Sequence, residues 1–189
     1  MVDERQIIQE VLSGKTSSFK NLVEKYQGLV AHVVFRMIVN SDEREDLCQD
    51  VFLKVYTNLN KFRFESKFST WIAKIAYNTC INSLQKKKAA LYDDYTAEGE
   101  TIEDYLDHQP SPSRFTEEKE VSERLWIEIN KLPMTYRAIL TLYHLENFSY
   151  MEISEIMQLP DGTIKSYLFR ARKMLKEKLT TKYQPEEIK

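Results

Sequence analysis

The stretch Ser149-Tyr-Met-Glu-Ile-Ser-Glu-Ile-Met-Gln-Leu-Pro-Asp-Gly-Thr-Ile-Lys-Ser-Tyr-Leu-Phe-Arg-Ala-Arg-Lys173 decides the reading of this chain. It predicts a short helix, a tight turn and a second helix that is basic along one side. Ser149 and Glu152 stand in capping-box register, where each side chain satisfies an orphan N–H at a helix start. Ile153, Ile156 and Met157 then form an apolar stripe at helical spacing. Leu159-Pro160-Asp161-Gly162 breaks the helix, because proline lacks the N–H and restricts the residue before it. Asp161 is expected to cap the second helix. From that helix Ile164, Leu168, Ala171 and Leu175 face inward, leaving Lys165, Ser166, Tyr167, Phe169, Arg170 and Lys173 to solvent. A helix-turn-helix places its recognition helix in a major groove in this way. Any two-helix hairpin shows caps and stripes, so the charge decides. Residues 162–182 hold seven basic residues against the single acid Glu177, the electrostatic footprint of a nucleic-acid binder.

Outward from this segment, composition narrows the class. The 189 residues are 42% hydrophobic and 30% charged, with only 4 Gly and 5 Pro, as suits a helical soluble protein. The N-terminus lacks a basic segment followed by an apolar run, so no signal peptide is expected. The most apolar stretch, Leu29 to Val39, is interrupted by His32 and Arg36 and is too short to span a bilayer. No direct membrane insertion and a cytoplasmic location are therefore expected. Cys48 and Cys80 have neither CxxC spacing nor a nearby histidine pair, and read as free thiols in a reducing compartment with no metal site.

The net charge of −2 is unevenly spread. Residues 1–88 carry +4, residues 89–118 carry −8, and residues 119–189 carry +2. The acidic segment has sparse apolar residues, no periodicity and a Pro110-Ser-Pro112 ending. It reads as a flexible linker between two small helical domains. In the first domain four helices are expected. Ile7 to Leu12 mark one closed by Gly14, and Phe19 to Met37 mark the second. The third opens on an Asp42/Glu45 capping box and continues through Leu59; the fourth runs from Trp71 to Lys86-Lys87-Lys88. The last domain adds a helix near 115–131 stopped before Pro133, another near 135–146, and the helix-turn-helix. No segment alternates at period two, so the fold class is all-α.

Three features of the first domain bear on chemistry. Asp46, Gln49, Asp50 and Leu53 form a polar ridge, either a solvated face or a docking surface for a partner helix. The loop 60–68 interleaves Lys61, Arg63 and Lys67 with Phe62, Phe64 and Phe68. Cations that follow phosphates and rings that stack on bases suit a single strand, while core phenylalanines are the alternative. Lys74, Asn78 and Asn82 recur every four residues on one helical face; asparagine is a mediocre helix former, so they are either ordinary surface or donors placed for use.

The ordered set Glu45-Asp46-Leu47-Cys48-Gln49-Asp50-Val51-Phe52, Phe68-Ser-Thr-Trp-Ile-Ala-Lys-Ile-Ala-Tyr-Asn78, Leu132-Pro-Met-Thr-Tyr-Arg137 and the helix-turn-helix resembles the extracytoplasmic-function sigma factors of bacterial RNA polymerase. The resemblance implies a promoter-specificity subunit with sigma region 2 in residues 1–88 and region 4 in 119–189. It implies core-polymerase binding by Asp46, Gln49, Asp50 and Leu53. Capture of the single-stranded −10 element would fall to Lys61, Phe62, Arg63, Phe64, Lys67, Phe68, Lys74, Asn78 and Asn82. Readout of the double-stranded −35 element would fall to Thr163, Lys165, Ser166, Tyr167, Phe169, Arg170 and Lys173. The linker matches a segment that threads near the polymerase active site, and an anti-sigma factor is an implied partner in a stress response. Many relatives have Arg where this chain has Tyr167, and a hydrophobic residue or Glu where it has Asp161, so promoter preference is expected to depart from theirs.

Two other classes fit the sequence less well. A stand-alone helix-turn-helix regulator would leave the aromatic loop and acidic linker unexplained. An enzyme is disfavoured: His32, His108 and His144 form no ligand or triad pattern, and there is no Gly-rich phosphate loop. Neither a catalytic residue nor a cofactor is expected.

Overall fold

The computed structural model describes residues 4–94, with side chains to Lys87, and residues 125–183. Every regular element among them is helical. The chain divides into two compact units, Met1–Lys87 with Glu155–Gln158 and the remainder. The expected linker lies outside the described residues from position 95 onward.

In the first unit, α1 (Glu4–Leu12) buries Ile7, Ile8 and Val11. It ends in a Schellman motif: Lys15 N donates to Glu10 O at 3.0 Å and Gly14 N to Val11 O at 3.1 Å. Gly14 takes the left-handed φ of +102° that this closure needs. Helix α2 (Phe19–Met37) buries Leu22, Tyr26, Leu29, Val30, Val33, Val34 and Met37, one stripe at helical spacing. Its connection to α3 (Ser41–Asn58) is pinned by Arg44, which donates to Ile38 O at 2.9 Å and Val39 O at 3.1 Å.

Here the expected cap shifts by two residues. Asn40 accepts from Asp42 N at 3.0 Å and donates to Glu43 Oε1 at 3.0 Å, so the box is Asn40/Glu43 rather than Asp42/Glu45. A 3-10 turn, Leu59–Lys61, leads into the aromatic loop, and α4 (Phe68–Asp94) follows. That helix passes the expected stop at Lys86–Lys88, because Ala89, Ala90 and Leu91 are strong helix formers and no cap or proline interrupts them.

In the second unit, α5 is described over 125–130. Pro133 begins rather than merely blocks, standing at the N-cap of α6 (Met134–Leu140). The buried Arg137 donates to Asn130 O at 2.8 Å and so closes the α5–α6 turn. Helix α6 runs into a π-turn, Thr141–Leu145, ended by Asn147 at φ +54°. Then come α7 (Tyr150–Met157), whose residues from Glu155 onward are grouped with the first unit, and α8 (Asp161–Lys182).

The Ser149/Glu152 box forms as expected: Ser149 N donates to Glu152 Oε2 at 2.8 Å and Glu152 N to Ser149 Oγ at 3.3 Å. Asp161 does not cap α8. Pro160 holds the N-cap position, and Asp161 is the first helical residue, where its carboxylate complements the helix dipole. Proline's fixed φ suits the position, where no backbone N–H is needed, and its carbonyl accepts from Thr163 N at 2.8 Å and Ile164 N at 3.1 Å.

Glu128, on α5, is a nearly fully buried carboxylate. It accepts from Lys131 Nζ at 3.0 Å and Lys182 Nζ at 2.8 Å, tying the last turn of α8 to α5. Those ammonium donors hold its carboxyl below the ordinary value although burial opposes them.

Candidate nucleic-acid interfaces

Between α3 and α4 the first unit has a groove of about 350 Å³. Four residues expected at the −10 site, Lys61, Lys74, Asn78 and Asn82, line it together. So do Lys54, Asn58, Trp71, Ile75 and Thr79. Helix α4 supplies Trp71, Lys74, Asn78 and Asn82 at spacings of three and four, the rule that puts side chains on one face. Opposite them, Lys54 Nζ donates to Thr79 Oγ1 at 3.2 Å, Asn58 Nδ2 to Lys54 O at 2.8 Å, and Lys61 Nζ to Asn58 Oδ1 at 2.7 Å. Three ammonium groups and three asparagines thus border a half-exposed indole, and no carboxylate lines the groove. Cations suit phosphate, the ring suits a base face, and the amides suit base edges.

The aromatic loop divides its three phenylalanines between two tasks. Phe62 and Phe68 are buried, with ring centroids 5.0 Å apart and Trp71 5.4 Å from each. Tyr26 abuts Phe68 at 5.5 Å. These rings form the foundation of the loop, so for Phe62 and Phe68 the core alternative holds in place of faces open to bases. Phe64 alone stays open, 39% exposed, beside exposed Arg63 and Lys67.

On the outer side of α3, Asp46, Gln49, Asp50 and Leu53 are all exposed. Leu53 is 61% exposed, a large apolar side chain set among carboxylates and an amide.

In the second unit, three of the four residues expected inside α8, Ile164, Leu168 and Ala171, are buried, while Leu175 is half-buried. Ser166, Phe169, Arg170 and Lys173 are exposed at spacings of three and four, with Phe169 70% exposed. The remaining expected contacts sit at the flanks. Thr163 and Tyr167 are half-buried, and the Tyr167 ring meets Tyr136 edge-on at 5.8 Å. Lys165 is exposed but lies 5.8 Å from the Tyr150 ring centre. Arg172, absent from the expected set, stands 5.0 Å over Tyr143 and donates to His144 Nε2 at 3.2 Å. Partial burial and the Arg172 charge lower the His144 pKa, favouring a neutral acceptor.

Residues 22–90 match the Sigma-70 region 2 family model, and residues 122–175 match that of Sigma-70 region 4. The ECF RNA polymerase sigma factor SigW of Bacillus subtilis is 32% identical, over 91% of this chain and 94% of its own length. The chain belongs to the extracytoplasmic-function sigma factors. The RNA polymerase sigma-H factor of Pseudomonas aeruginosa is 34% identical over 93% of each chain. The Escherichia coli sigma-E factor is 33% identical over 93% of this chain and 94% of its own. Two solved structures share the fold. CnrH, in complex with the cytosolic domain of CnrY, has a TM-score of 0.65 at 16% identity, covering 95% of this chain and 99% of that one. RpoE of Bartonella quintana, in complex with the anti-sigma factor NepR, has a TM-score of 0.67 at 22% identity, covering 87% and 98%.

The protein is thus an RNA polymerase sigma factor that directs promoter-specific transcription. The region 2 match contains the whole α3–α4 groove, and the region 4 match contains the outer face of α8. The groove residues Lys54, Asn58 and Thr79 were missed by sequence reading. Their signal is faint: Lys54, Asn58 and Lys61 recur at four and three along otherwise mixed positions.

Proposed function

We propose that this sigma factor works as a two-point reader whose first unit captures the melted −10 strand and whose second reads the −35 duplex. Residues 1–88 form the domain that docks on core polymerase through Asp46, Gln49, Asp50 and Leu53. The acidic linker follows the end of α4 at Asp94 and runs to about residue 118, and residues 119–189 form the −35 reader. One non-template base leaves the stack and enters the α3–α4 groove. Extrusion costs a few kcal/mol, and a stacking contact recovers roughly 1–3 kcal/mol. Trp71 offers the stacking face, Asn78 and Asn82 the base-edge hydrogen bonds, and Lys54, Lys61 and Lys74 the charge for flanking phosphates. Melting is then strand capture driven by binding, with no bond made or broken by this subunit. The −35 element meets Ser166, Phe169, Arg170 and Lys173, while Lys165 and Arg172 reach phosphates at the groove edge.

The observation that carries this reading is the convergence of four expected −10 residues in one cationic, carboxylate-free groove. Among the described residues no helix is long and apolar enough to cross a membrane. Both solved neighbours are complexes, CnrH with the cytosolic domain of CnrY and RpoE with the anti-sigma factor NepR; an anti-sigma factor for this chain fits that pattern. Run-off transcription with purified core polymerase on genomic fragments tests the whole. Transcripts that start at discrete sites only when this chain is added are expected; identical transcripts without it contradict the reading.

A further inference from the structure

Phe64 has a backbone φ of +58°. A bulky residue there is an outlier, in a region where glycine is at ease. Strain of this kind persists where the surroundings hold it and points to a use for the side chain. The ring is 39% exposed and rests against buried Phe62, 4.7 Å between centroids. Over it lies the guanidinium of Arg5, 4.7 Å from the ring centre. Arg5 belongs to α1, ahead of the region 2 match that begins at residue 22.

A line of rings therefore runs from the groove outward: Trp71 at its wall, Phe62 beneath, Phe64 at the surface, with the Arg5 guanidinium over the Phe64 ring. We propose that Phe64 and Arg5 form a second stacking site for single-stranded DNA, holding the base next to the one taken by the groove. A guanidinium held over an aromatic ring offers a base its own outer plane as well as the ring's open part, the pairing used in sequence-tolerant strand binding. Arg63 and Lys67, both exposed on the same loop, supply charge for the backbone. The N-terminal helix is thereby part of the −10 reader. This proposal rests on strand capture by the groove.

The test uses holoenzyme, made with core polymerase, on forked DNA whose non-template −10 overhang carries an abasic site at each position in turn. On the intact overhang, Phe64→Ala and Arg5→Ala should each weaken binding about tenfold, the scale of one stacked base. Both penalties should vanish at one shared abasic position, different from the position that suppresses the effect of Asn78→Ala. Phe64→Gly relieves the backbone, so it should melt no lower than the parent and still bind the overhang as poorly as Phe64→Ala. Penalties that are absent, or equal at every abasic position, overturn the second stacking site. If Asn78→Ala maps to a position and the other two do not, this proposal alone fails. If Asn78→Ala is silent throughout, strand capture by the groove fails with it.

Discussion

The Lys54 ammonium crosses from α3 to α4 and donates to Thr79 Oγ1 at 3.2 Å, so the groove is spanned by one of its own cations. Lys54 is half-exposed and Thr79 buried. One contact thus links the two helices and places positive charge inside the groove.

Replacing Lys54 by Met keeps the side-chain length and removes that charge. The lost hydrogen bond should lower stability by about 1 kcal/mol. If the ammonium also meets a phosphate, the salt dependence of holoenzyme binding to a single-stranded −10 overhang should fall by roughly 0.7 in log–log slope. An unchanged slope would leave Lys54 a purely structural bridge.

Arg170 is exposed on the outward face of α8, between Ser166 and Lys173. Arg170→Ala should cost about 1–3 kcal/mol of discrimination at one −35 base pair if it pairs with guanine. Tyr167 is different, because its ring is engaged with Tyr136. Tyr167→Arg should therefore lower the stability of the second unit while altering base preference at a neighbouring position. A systematic set of −35 variants read by transcription separates the two effects.

Glu128 joins Lys131 and Lys182 in a setting that leaves its carboxylate 3% exposed. Glu128→Ala should destabilise the second unit by about 1–3 kcal/mol, since it deprives two ammonium groups of their shared acceptor. Its folded pKa is depressed. The stabilisation is therefore complete above the unfolded carboxylate value of about 4.3 and is lost as pH falls through the lower folded value. Thermal melts of parent and variant should converge on acidification through that window. Melts that stay parallel would remove the ion pairs from the account.

His144 acts in a higher window. Its folded pKa lies below the unfolded value, so the unfolded chain binds more protons and stability falls as pH drops below about 6.5. His144→Gln keeps an acceptor for Arg172 and should flatten the slope of melting temperature between neutral pH and about pH 5.5. An unaltered slope would place the titration elsewhere.

The helix-turn-helix was legible because its signals are local. A Ser149/Glu152 box, a proline break and one apolar stripe lie within a few turns. The Asn40/Glu43 box was not, since Asn40 and Asp42 are both good caps with a glutamate three residues on. Arg44 decides between them by binding the carbonyls of Ile38 and Val39. Likewise Phe62, Phe64 and Phe68 look alike in sequence, and only packing against Trp71 and Tyr26 separates two foundation rings from one open ring. The groove was half legible. Lys74, Asn78 and Asn82 share a helix face, but Lys54 and Asn58 reach the site by packing of α3 on α4, which no local spacing records.

Strand capture by that groove is the central claim, and permanganate footprinting of the holoenzyme on a promoter tests it most directly. Asn78→Ala should leave closed-complex formation and −35 contacts intact while reducing the reactivity of unpaired thymines in the −10 region. Reactivity equal to that of the parent, at equal promoter occupancy, would contradict it.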